Sequence, residues 1–165
     1  MKTNANCNDK SYWISLPKAV VLDMDGTFFL GDQLLPGALE LLDYLNEKEI
    51  PFSFLTNNTS KGKADYVRKL MGFGVKRADA RIYTAGDATI SYLKQNYPKN
   101  RVFVMGTMSL RESMAEAGIA LDSVDPEVLV LAYDTELYYQ RLVEFCLFLR
   151  KGLPYIATHP DLNCP

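Results

Sequence analysis

Cysteine is scarce in this sequence, basic residues do not outnumber acidic ones, and long apolar runs are missing. Cys7, Cys146 and Cys164 are odd in number, far apart and without CxxC spacing, which excludes a disulfide framework and a zinc site and leaves three free thiols as the expectation. A net charge of -2 and a pI near 5.4, with lysines and arginines scattered along the chain, give no basic field for nucleic acid phosphates. Residues 1–10 are polar and lack the apolar stretch of a secretory signal. No later segment reaches the ~18 uninterrupted apolar residues that a membrane span needs. The expectation is a cytoplasmic protein that engages neither nucleic acid nor membrane. With 165 residues, 48% of them apolar and 23% charged, the chain has ordinary globular composition and enough length for a core.

The hydrophobic pattern alternates between strand and helix. Lys18-Ala-Val-Val-Leu22 is a short apolar run of the kind buried on both faces of a parallel sheet. After a loop punctuated by Gly and Pro, Ala38, Leu41, Leu42 and Leu45 recur at helical spacing to about Lys48, with Pro36 near the first turn. A second strand is predicted at Pro51-Phe-Ser-Phe-Leu55. Thr56-Asn-Asn-Thr-Ser60 then stands where a helix cap is expected, and the following helix closes near Gly72 or Gly74. The second half predicts helices over 87–96, 109–117 and 136–151 and strands over 102–105, 128–132 and 155–157. Leu142, Phe145 and Leu149 form the stripe of the last helix. Tyr138 and Tyr139 read as core-facing residues of that helix rather than as a binding surface. The whole is an α/β pattern in which successive strand ends bring polar residues to one edge of a sheet.

The chemistry starts at the end of the first strand. In Asp23-Met-Asp-Gly-Thr27 two carboxylates two residues apart project to the same side while the backbone stays extended, and Met24 points the other way. Gly26 allows a sharp turn and is expected to keep its N–H open to an anion, with Thr27 satisfying backbone groups in the turn. A pair of hard oxygen donors suits magnesium, which binds through one or two carboxylates plus waters and substrate phosphate oxygens. A calcium loop fails on spacing, because it would need Gly at Phe28 and Glu at Leu34 after a helix rather than a strand. A surface turn that merely carries acids remains the plain alternative, and for Thr56 and its neighbours the plain alternative is a helix cap.

These residues resemble the haloacid dehalogenase superfamily, whose first motif is Asp-x-Asp-Gly-Thr at the end of the first strand. Leu55-Thr-Asn-Asn58 resembles its second motif, at the end of the second strand. Ile156-Ala-Thr-His-Pro-Asp161, with Tyr133-Asp134 and Tyr138 upstream, resembles the subfamily IIA branch of 4-nitrophenyl-phosphatase-like and nucleotide-phosphatase-like enzymes. The resemblance implies a Rossmann-like core, of which residues 1–82 are the first half, and a C2-type α/β cap over 83–165 that is incomplete. It makes Asp23 the nucleophile that forms an aspartyl-phosphate and also a magnesium ligand. Asp25 becomes the general acid and base, with its backbone carbonyl on the metal. Thr56 donates to a phosphoryl oxygen, helped by backbone amides near Gly26 and Asn57. An acid two residues after the nucleophile favours a phosphatase over a dehalogenase, because an ester's leaving oxygen needs a proton and a halide does not.

His159, the one histidine, stands where many members of that branch carry Asn and is expected to shape a loop rather than move a proton. Asp161 and Asn163 lie where the cap of the family reaches substrate. The family's third motif, a lysine, and its fourth, a Gly-Asp pair followed by another Asp, would lie beyond Pro165; Lys61 and Lys63, expected in the helix after the second motif, cannot replace that lysine. The implied function is a magnesium-dependent phosphomonoesterase acting on a small phosphorylated metabolite, such as a nucleotide or sugar phosphate. The alternative is a non-catalytic, truncated chain or binding partner with the first motifs only. A half-core leaves an open apolar flank, so either the chain self-associates there or more sequence covers it.

Overall fold

A computed structural model describes residues 17–76 and 81–159. The first sheet is parallel, in the order β1 (Val20–Asp23), β4 (Phe52–Thr56), β5 (Ile82–Thr84). Its register sets Asp23 opposite Leu55 and Thr56 opposite Thr84, so the strands end together. Between β1 and β4 lie a two-residue hairpin, β2 (Phe29–Leu30) and β3 (Gln33–Leu34), and helix α1 (Ala38–Glu47). Helix α2 (Lys63–Gly72) leads from β4 to β5. The second sheet, also parallel, runs β6 (Val102–Met105), β7 (Val128–Leu131), β8 (Tyr155–Ala157), with α3 (Ala85–Asn96), α4 (Met108–Glu116) and α5 (Tyr139–Arg150) around it.

Burial follows the two-residue period of β4. Phe52, Phe54 and Thr56 turn inward, and Ser53 and Leu55 turn out. Phe54 is fully buried, with its ring centroid 4.9 Å from that of Phe28 and 5.9 Å from that of Phe52. Ala38, Leu42 and Leu45 of α1 and Tyr66 and Leu70 of α2 close the same core. Leu41 is exposed, in contrast to the helical stripe expected from the sequence, because α1 meets the sheet along a narrower face than that stripe. Both helices cover one face of the sheet. On the other, Val21, Leu55 and Tyr83 are 66%, 45% and 46% exposed. That apolar face and the outer edge of β1, which pairs only with β4 among the described residues, are the surfaces that either self-association or further sequence would cover.

The helix ends show where local chemistry overrides the periodic pattern. α1 starts after Gly37, at φ 84°, so Pro36 lies just before the first turn, as expected. It ends with Glu49 at φ 54° while the Ile50 amide donates back to the Leu45 carbonyl (2.8 Å). α2 closes the same way at Gly74, one of the two positions the sequence offered, with the Val75 amide on the Leu70 carbonyl (2.9 Å). α5 starts at Tyr139, not at 136, and turns Arg141 and Phe145 inward, with Leu142 and Phe148 against the same cluster. Leu149, expected on the stripe, is exposed, as are Tyr138 and Tyr139, the latter 80% exposed; the two tyrosines therefore lie off the core they were expected to join.

Candidate active site

β1 delivers the first motif to the sheet edge as the alternation requires. Met24 is fully buried, Asp23 is exposed and Asp25 half-buried, so the two carboxylates flank a side chain anchored in the core. The turn that follows is tied by the Met24 carbonyl, which accepts from the amides of Phe28 (3.0 Å), Phe29 (3.2 Å) and Thr27 (3.3 Å). Gly26 sits at φ 85°, in the left-handed region that favours glycine. Its N–H is not open to an anion as expected from the sequence: it donates to the Phe29 carbonyl at 2.7 Å, because the hairpin after the motif folds back onto the turn. The Thr27 hydroxyl also has a different role from the one expected. It donates to Asp23 Oδ2 at 3.1 Å rather than to the backbone, holding one carboxylate oxygen of Asp23.

The second motif lies beside the first. Thr56 ends β4 one residue after Leu55, the register partner of Asp23, and adjacent strands are spaced about 4.8 Å apart. Its hydroxyl oxygen accepts the Asn58 amide at 3.1 Å, which leaves the hydroxyl proton to donate elsewhere. Asn57 is exposed at the strand end. The helix-cap alternative for this segment does not hold. α2 begins only at Lys63, after Gly62, whose amide donates to the Asp65 carboxylate at 3.0 Å. A side chain at Gly62 would meet Ser109 Oγ at 2.3 Å, so it would have to displace that hydroxyl. Lys61 thus lies in the loop, and only Lys63 lies in the helix.

Two contacts join this edge to other parts of the chain. The fully buried Thr59 accepts the Tyr133 amide at 3.1 Å, and its hydroxyl lies 3.4 Å from that of Thr158, linking the second-motif loop to the segments after β7 and β8. Tyr66, 1% exposed in α2, donates its hydroxyl to Asp25 Oδ2 at 3.2 Å. Neither residue was singled out from the sequence: the pairings span 74, 99 and 41 residues, and no local pattern carries them.

Several other expected residues lie outside the described part. His159 is half-buried beyond β8. Asp161, Asn163, Cys7 and Cys164 lie outside the described residues; Cys146 is an exposed free thiol. No helix among the described residues is long and apolar enough to cross a membrane. A cleft of 560 Å³ opens in the second sheet unit, and none of the first- or second-motif residues lines it. Arg111 and Arg141 face it together with Glu112, Glu144 and Asp122, so acids offset its cations; burial, with Arg111 alongside, pushes the Arg141 pKa below its usual value.

Residues 20–120 match the family model described as haloacid dehalogenase-like hydrolase. The chain belongs to the haloacid dehalogenase-like hydrolases. Among their members it is similar to an acid sugar phosphatase of Staphylococcus haemolyticus, at 30% identity over 149 residues, covering 90% of this chain and 57% of the relative. A 4-nitrophenylphosphatase structure from Thermotoga maritima superposes with a TM-score of 0.86 at 46% identity, covering 90% of this chain and 57% of that one. A p-nitrophenyl phosphatase from Archaeoglobus fulgidus gives 0.80 at 26% identity, covering 87% and 56%. The chain therefore spans somewhat more than half the length of these relatives. The α/β fold with parallel sheets and the likeness to the 4-nitrophenyl-phosphatase branch of this hydrolase family agree with the sequence reading.

The donor set fits magnesium in part. Asp23 and Asp25 offer hard oxygens at one edge, and among the described residues no group of three or more His, Cys, Asp or Glu side chains could hold a metal ion. Magnesium tolerates such a site because it keeps several waters and takes substrate phosphate oxygens as further ligands.

Proposed function

We propose that this chain carries the nucleophile half of a magnesium-dependent phosphomonoesterase. The observation that supports it most is the pair Asp23 and Asp25, set either side of the buried Met24 at the end of β1 and beside Thr56 at the end of β4. In this reading residues 1–82 form the first half of the core and 83–165 an incomplete cap, although β5 of the first sheet runs on to Thr84, and Thr59 ties the two parts together.

An Asp23 carboxylate oxygen attacks phosphorus and the ester P–O bond breaks. The departing oxygen takes a proton from Asp25. Water then attacks the aspartyl-phosphate and gives its proton to Asp25. The bond between phosphorus and Asp23 breaks, releasing inorganic phosphate. The division into two steps replaces one difficult displacement with two easier ones. Thr56 donates its free hydroxyl proton to a phosphoryl oxygen, and backbone amides around Gly26 and Asn57 assist. The Gly26 amide itself, held by Phe29, would have to leave that bond to take part. The Asp23 carboxylate and the Asp25 backbone carbonyl would hold magnesium, which would supply positive charge against the phosphoryl oxygens. The substrate class is a small phosphorylated metabolite; a sugar phosphate is favoured by the similarity to acid sugar phosphatases.

One carboxylate and one backbone carbonyl at this edge would bind the ion weakly. Calorimetric titration of the 165-residue chain is expected to give a magnesium Kd on the order of millimolar, from the ion's demand for near-octahedral coordination by several hard oxygens. Micromolar affinity would show that the chain already holds a complete site. The activity itself is tested by release of 4-nitrophenol from 4-nitrophenyl phosphate by the full-length protein: turnover should stop on chelation and return with magnesium, and metal-independent turnover would reject the reading.

A further inference from the structure

We infer that Tyr66 is a positioning residue for the acid–base carboxylate, an inference that rests on the reading of Asp25 given above. Tyr66 sits one turn into α2, its ring 1% exposed within the core cluster that also holds Met24, Phe28 and Phe54. A ring packed on this scale cannot change rotamer freely. Its hydroxyl emerges from that packing at the sheet edge and donates to Asp25 Oδ2 at 3.2 Å.

Asp25 needs such a support. It is half-buried, it leaves the strand at the start of a tight turn, and its neighbour Gly26 gives it no side-chain wall. Asp23 has its own holder in Thr27, which donates to Oδ2 of that residue at 3.1 Å. The two acids are thus oriented by different groups, a local hydroxyl four residues on for the nucleophile and a core-anchored phenol from α2 for the acid. With Oδ2 of Asp25 engaged by a donor, the proton that Asp25 gives and recovers resides on Oδ1. The phenol thereby selects the oxygen that faces the leaving group. The bond is long for a hydroxyl–carboxylate pair, so its contribution is to direction more than to binding energy.

The consequence depends on the leaving group. A phenolate of pKa ~10 needs a proton as it departs, whereas 4-nitrophenolate is far less basic and departs with little help. Tyr66→Phe keeps the buried ring and removes only the hydroxyl. In the full-length protein the ratio of kcat/KM on phenyl phosphate to kcat/KM on 4-nitrophenyl phosphate, which reports only the step in which the leaving group departs, is expected to fall about tenfold, a part of the ~10²–10⁴ that a placed acid contributes. Equal slowing of both substrates, or an unchanged ratio, would overturn the inference. Asp25→Asn supplies the control against a structural effect. Adding Tyr66→Phe to Asp25→Asn should leave the ratio where Asp25→Asn alone puts it, and a further tenfold fall in the double variant would show that Tyr66 acts without Asp25. A melting temperature for Tyr66→Phe close to the parent's accompanies the expected result. If that variant fails to fold, Asp25→Asn and Asp25→Glu are compared for the same ratio, and a ratio insensitive to both overturns the inference. Failure of the phosphatase reading is distinct, because it would appear as turnover that survives loss of the Asp23 carboxylate.

Discussion

Asp23→Asn is expected to lower kcat on 4-nitrophenyl phosphate by on the order of 10³-fold or more in the full-length protein, as loss of a covalent nucleophile does in other hydrolases. The amide keeps the shape of the side chain, and its oxygen can still accept from Thr27, so the turn held by the Met24 carbonyl should be preserved. The residue is exposed, and surface substitutions of this kind change stability within about 0.5 kcal/mol. Loss of activity with an unchanged circular dichroism spectrum is therefore the expected pair of results. Turnover near the parent rate would remove Asp23 from the nucleophile's place.

The second large effect concerns the support of the site rather than its chemistry. Phe54 is fully buried between Phe28 and Phe52, two residues before Thr56 on the inward face of β4. Phe28 belongs to the turn that follows Asp25, so this ring pair joins the two motif-bearing strand ends through the core. Phe54→Ala removes the ring and leaves a cavity, at a cost of ~3–5 kcal/mol. That is a large share of the stability of an ordinary domain. Urea denaturation should show the loss as a lower midpoint, and a change below about 1 kcal/mol would mean that the neighbourhood collapses to fill the space.

Much of this architecture is written locally. The apolar run before Asp23 and the alternation through β4 predict strands that pair in parallel with their polar ends together, and the structure has that register. The placement of Met24 inward and both acids outward follows from period two alone. Other parts needed tertiary information. The hairpin of β2 and β3 has only two residues in each strand, joined by Gly31 and Asp32 in what reads as an ordinary loop, yet its return brings the Phe29 carbonyl onto the Gly26 amide. β5, Ile82–Thr84, has no strand predicted for it from the sequence. The polar run after β4 looks like a cap because it is rich in Thr, Asn and Ser, but the cap lies further on, where Asp65 returns to the Gly62 amide. Leu41 and Leu149 obey helical spacing and are still exposed, because the spacing gives a stripe and only the partner surface decides how much of it is covered.

The long-range contacts explain why the candidate site was partly legible. Asp23, Asp25 and Thr56 announce themselves by position at strand ends. Thr59 and Tyr66 acquire their meaning from partners 74 and 41 residues away. Both carry ordinary residue types for their surroundings, a threonine in a polar loop and a tyrosine on a helix, so neither departs from what a solvated loop or a core-facing helix would show.

The central claim is that phosphate passes through a covalent bond to Asp23. It is tested most directly by acid-quenching the full-length protein during turnover of 4-nitrophenyl phosphate with magnesium and mapping the phosphorylated peptide by mass spectrometry. The account predicts a hydroxylamine-sensitive acyl phosphate on the peptide that carries Asp23, absent from Asp23→Asn. Phosphate found on another residue, or single-turnover release of product with no phosphorylated enzyme at any time, would contradict it.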